Sequence, residues 1–228
     1  MNIRVGLWLF VAVMVTGGMM AGDASAQQDV AKAARTAKNQ MENPALIQAD
    51  KRLDRVHTDI ARDYPGVRHL PADVFQGMVA EETIVFDVRK PSEYAVSHLP
   101  GAINIAPDMT AEAFFAAYGN TLADKKIVFY CSVGRRSSIM ARRVAAQLGK
   151  DQQSYNLVGG IFRWRNEERP LEMSRSDGAT LPTDYVHPYN AVWGRYLADR
   201  KAIRYSPRVK AQPTLSPTAK KPSAPRTP

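Results

Sequence analysis

Lys126-Ile127-Val128-Phe129-Tyr130-Cys131-Ser132-Val133-Gly134-Arg135-Arg136-Ser137 reads as a buried strand, a tight loop and the start of a helix. The apolar run Ile127–Tyr130 predicts a strand buried on both faces. Gly134 supplies the backbone freedom that a curled loop needs. From Ser137 to Leu148 the pattern is helical, with Met140, Val144 and Leu148 in one stripe, Ser137 as its cap and Gly149 at its end. Working outward, Thr83–Val88, Ile103–Ile105 and Ser154–Val158 read as further strands. A helical pattern opens at Pro44 and stops at Pro65-Gly66, and Ala111–Tyr118, with Phe114 and Phe115 inward and Gly119 as a stop, and Ile161–Glu168 read as further helices. In the first of these, Leu53, Val56 and Ile60 recur at helical spacing. Strands alternating with helices of this length predict an α/β fold with a mostly parallel central sheet flanked by helices. Ligands of such sheets bind at the carboxyl ends of strands, where Cys131 lies.

Cys131 is the lone cysteine of the 228-residue chain, so it is an inert core thiol or a reactive one. Its surroundings favour the second. Loop amides, the positive end of the following helix and the guanidinium groups of Arg135 and Arg136 all stabilise a thiolate and cradle an oxyanion. On this reading Cys131 is catalytic, and Ser132, Val133, Gly134, Arg135 and Arg136 bind the substrate. Arg135 is balanced between the cradle and solvent.

Four segments in order resemble the rhodanese superfamily. They are Asp87-Val88-Arg89 with Glu93-Tyr94; Ser97-His98-Leu99-Pro100-Gly101-Ala102; the Cys131–Arg136 loop; and Gly159-Gly160-Ile161 with Trp164 and Pro170. The resemblance implies a rhodanese-like three-layer sandwich and a sulfurtransferase. Cys131 takes the sulfane sulfur of thiosulfate or a related donor as a persulfide and passes it to a thiol, to cyanide or to a protein acceptor. No metal and no organic cofactor is implied. The family's six-residue loop from Cys to Arg is the sulfur-transferring length, and phosphatase or arsenate-reductase relatives carry one residue more. Asp87, Arg89, Glu93, His98 and Ser137 are read as structural support, with Arg89 pairing with Glu93 and His98 stabilising a turn. Two alternatives stand beside this: a persulfide-binding or sensing module without turnover, and an oxyanion phosphatase or reductase.

The ends read differently. Residues 1–26 carry an apolar run and Ala24-Ser25-Ala26, the pattern of a signal peptide, against the alternative of an uncleaved anchor. The mature chain is expected to begin at Gln27 and to be periplasmic or secreted, without stable membrane insertion. Residues 27–65 form a lead-in and first helix, 66–172 the rhodanese-like domain, and 173–206 an extension packed on it. That extension is rich in aromatic residues (Tyr185, Tyr189, Trp193 and Tyr196), read as packing or as a wall over the Cys131 loop. Residues 207–228 form a basic, proline-rich, disordered tail. Much of the net charge of +9 sits there. It reads as a solvated tail, with no nucleic-acid partner.

Overall fold

The computed structural model describes residues 43–149, 152–175 and 178–207. The expectations for the signal segment, most of the lead-in and the tail from Arg208 lie outside them.

Asn43 caps the first helix, α1 (Pro44–Asp63), by accepting from the amides of Ala45 and Leu46. Pro44 fits at the first helical position because its missing N–H has no intrahelical partner there. The stripe Leu46, Ala49, Leu53 and Ile60 is buried. Then follow β1 (Arg68–Leu70), α2 (Ala72–Gln76), β2 (Thr83–Asp87), α3 (Pro91–Val96), β3 (Ile103–Asn104), α4 (Ala111–Tyr118) and β4 (Lys126–Tyr130). The chain continues through α5 (Arg135–Ala145), β5 (Gln153–Leu157) and α6 (Gly160–Asn166). A hairpin of β6 (Glu172–Ser174) and β7 (Thr180–Pro182), and the short α7 (Ala191–Gly194), complete the described chain.

The central sheet has the order β1-β5-β4-β2-β3, and every pairing in it is parallel. Side chains of a strand alternate between faces, and β4 shows the consequence. Ile127 and Phe129 enter a core with Phe86, Phe114, Met140 and Val144. Val128 and Tyr130 enter the opposite core with Leu53, Leu157, Ile161 and Phe162. Helices therefore cover both faces, as expected of an all-parallel sheet.

Some boundaries differ from expectation. Helix α5 begins at Arg135 and closes at Ala145, so Ser137 is inside it and Gly149 does not cap it. The cap position is Gly134, whose φ of 105° starts the helix two residues early. Of the two phenylalanines expected inward on α4, Phe114 is buried and Phe115 only half-buried. Gly119 does not stop the chain's coiling, because a 3-10 turn continues to Thr121.

Phe129 is fully buried against Phe86 and Phe114. Phe129→Ala should cost about 3–5 kcal/mol of stability in urea unfolding, against a much smaller loss for Phe115→Ala.

Candidate functional site

Cys131 follows β4, and its loop is fastened from outside. The amide of Ile161 donates to the Cys131 carbonyl at 2.9 Å, and that of Phe162 to the Ser132 carbonyl at 3.1 Å. These are the first free amides of α6, which every helix must satisfy outside itself. Such close approach requires Gly160. It sits at φ +53°, and a Cβ there would collide with the Cys131 carbonyl oxygen and lie 2.9 Å from Ser132. Peptide planarity then turns the N–H groups of the same two peptides, those of Ser132 and Val133, away from these carbonyls.

Further donors close on the sulfur. The Gly134 amide reaches Cys131 Sγ at 3.2 Å, and the Val133 and Ser137 amides and the Ser137 hydroxyl help to lower its thiol. Burial pushes the thiol up. The charge of Arg136 and these hydrogen bonds outweigh it, so the thiol lies below its ordinary range.

Arg136 is held by Glu93. Both carboxylate oxygens take its guanidinium nitrogens at 2.9 Å, and Ser132 Oγ joins at 3.1 Å. Glu93 itself is buried and accepts from the Lys90 amide at 3.1 Å. Burial raises its carboxyl, but Arg136 and the Lys90 amide bring it below the usual glutamate range. Tyr189, at φ +64°, lays its ring over Arg136, 5.1 Å from centroid to guanidinium carbon.

The expected pairing of Arg89 with Glu93 is corrected. Arg89 turns back onto Asp87 with bonds of 2.6–3.0 Å and donates to the Ser97 carbonyl. It leaves the strand end beside Asp87, two residues earlier, whereas Glu93 points from the first turn of α3 at the loop. The two acids therefore hold different arginines. His98 is buried, stacks on Tyr94 at 3.9 Å and lies with Nδ1 3.2 Å from the Tyr94 carbonyl. The expected cap, Ser137, donates instead to Asn156 Oδ1 at 2.6 Å. Arg135 is half-exposed and pairs with Asp63 of α1 at 3.1 Å, so of the two loop arginines only Arg136 bears on the sulfur.

Sequence reasoning missed Asn156 and His69, which stand behind the loop. Asn156 carried a signal, as a polar residue in a buried strand. His69, on an edge strand, carried none. It also left open the place of the aromatic extension. Trp193 and Tyr196 stack on each other against the core, while Tyr189 covers Arg136, so packing and wall are both present.

Residues 71–167 match the rhodanese-like domain family. The chain is 34% identical over 84 residues to the tRNA sulfurtransferase of Desulfurococcus amylolyticus, spanning 37% of this chain and 15% of that protein. It is 34% identical over 94 residues to the thiosulfate:glutathione sulfurtransferase of Homo sapiens, spanning 37% of this chain and 80% of that protein. Among solved structures, a rhodanese-related protein from Thermoplasma volcanium is 27% identical at a TM-score of 0.35, over 46% of this chain and 96% of that one. Helix α1 and the segment from β6 to Pro207 lie outside the matched family residues.

Two variants test this geometry. Gly160→Ala should lose more than about 2 kcal/mol of stability, because the left-handed backbone alone costs an alanine about 1–2 kcal/mol. Arg136→Gln should move the pH profile of Cys131 alkylation to higher pH, with slower labelling at neutral pH, since the thiolate loses its nearest cation.

Proposed function

We propose that this chain, which belongs to the rhodanese-like family, is a sulfurtransferase that carries sulfane sulfur on Cys131. The observation that carries the reading is the set of donors closing on one sulfur: the Gly134 amide at 3.2 Å, the Val133 and Ser137 groups, and the Arg136 charge. Such a ring favours a thiolate, and then the anionic persulfide that replaces it.

The chemistry runs in two displacements. The Cys131 thiolate attacks the outer sulfur of thiosulfate. The sulfur–sulfur bond breaks, and sulfite leaves with its electron pair. An acceptor thiolate then attacks the outer sulfur of the persulfide, and Cys131 departs as thiolate. No general base is needed, because the attack of a thiolate on sulfur transfers no proton. The name of the human relative supports thiosulfate as donor and a small thiol such as glutathione as acceptor. The loop length from Cys131 to Arg136 speaks against phosphate esters.

A second reading, a persulfide-binding or sensing module, draws on two observations. Cys131 is 1% exposed, and both loop arginines are ion-paired. The proposal includes export, on the strength of residues 1–26.

Intact mass after exposure to thiosulfate tests the function. The protein should gain one sulfur with release of sulfite, and lose it to glutathione over repeated cycles with ping-pong kinetics. Cys131→Ser should abolish the gain. Uptake without repeated discharge would replace the transferase with the sensing module.

A further inference from the structure

A chain of polar side chains leads from the sulfur to α1. The Ser137 hydroxyl acts on the Cys131 thiol and donates to Asn156 Oδ1 at 2.6 Å. Asn156 Nδ2 stands 3.2 Å from His69 Nδ1. Ser137 and Asn156 are 0% and 1% exposed, so water cannot substitute for either partner. Beyond them the edge of His69 meets His57, ring centroids 5.0 Å apart. His69 Nε2 and His57 Nδ1 are buried without hydrogen-bond partners among the described residues.

This row has two self-consistent hydrogen-bond directions. A serine hydroxyl carries one proton, so it donates to Asn156 or to the sulfur, never fully to both. In the observed direction, His69 Nδ1 accepts from Asn156, Asn156 Oδ1 accepts from Ser137, and the sulfur is left without the hydroxyl proton. When His69 Nδ1 bears a proton, it must donate. The amide of Asn156 then turns over in nearly the same volume and gives its oxygen to His69. Its nitrogen donates to Ser137 Oγ, and the Ser137 proton is released to the sulfur.

We propose that His69 and Asn156 are positioning residues that make the charge on the Cys131 sulfur sensitive to protonation of His69, through the direction of the Ser137 hydrogen bond. Burial first, then the neighbouring His57, hold His69 below the ordinary histidine range, with the Tyr64 carbonyl opposing them. Arg163 and Asp54 act in turn on His57. His69 thus takes up its proton at lower pH than an ordinary histidine. The sign follows by linkage: the proton on His69 adds a donor to the thiolate and favours it. The inference rests on the reading of Cys131 as the working sulfur.

Alkylation of Cys131 by iodoacetamide, followed well below the thiol's own ionisation, tests it. For an uncoupled thiol the logarithm of the rate rises linearly with pH. Here the low-pH branch should lie above the extrapolated high-pH branch by about tenfold, the worth of one hydrogen bond to a charged group. The step should fall where His69 titrates. It should vanish in His69→Gln and in Ser137→Ala, a deletion small enough for the fold to tolerate. A straight line in the unaltered protein would overturn the proposal. So would a step that survives Ser137→Ala, which would be the field of the histidine charge alone. Labelling reports the thiol whether or not sulfur turns over. A step without sulfur uptake therefore sinks the transferase and spares the switch, and sulfur uptake with a straight line does the reverse.

Discussion

The site depends on two backbone hydrogen bonds, from the Ile161 and Phe162 amides to the Cys131 and Ser132 carbonyls. They join the end of a central strand to the first turn of the last core helix. Each end alone would carry unpaired polar groups, which are costly when buried. Joined, they satisfy one another and settle which way the intervening peptides face. The electrostatics at the sulfur follow from that orientation, and the glycine pair before Ile161 is the steric condition for it.

Around this clamp stand two acid–arginine pairs with different tasks. Asp87 and Arg89 are both fully buried and tie the end of β2 to the turn before His98. Asn104 braces the same strand end through the carbonyls of Asp87 and Arg89. Glu93 and Arg136 instead tie α3 to the Cys131 loop. Buried pairs contribute little net stability once desolvation is counted, and removing one partner is costly. Their value here is placement: the Glu93 fork aligns a cation beside a sulfur.

Much of the fold was legible because its signals are local. The run Ile127–Tyr130 read as a buried strand, and α4 followed from the apolar pattern of Ala111–Tyr118. The start of α5 was misread because a serine looks like a cap, whereas the left-handed Gly134 performs that role. Which acid takes which arginine was not legible. Arg89 and Glu93 are four apart, a spacing that suggests contact within a helix. Arg89, however, precedes α3 and follows the strand instead. The row through Asn156 to His69 joins one helix and two strands that only the folded sheet brings together, so no spacing along the chain could announce it. The cover of Tyr189 over Arg136 is of the same kind.

The near-complete enclosure of Cys131 has a further consequence. A disulfide needs two sulfurs about 2 Å apart with their Cβ atoms about 4 Å apart. Nothing as broad as a second folded chain can bring its own thiol that close to a residue with 1% of its surface open. The chain, having no other cysteine, is thereby protected from cross-linking to copies of itself. Its thiol remains open to narrow reagents, so the same enclosure that restricts its chemistry keeps the protein a single covalent chain.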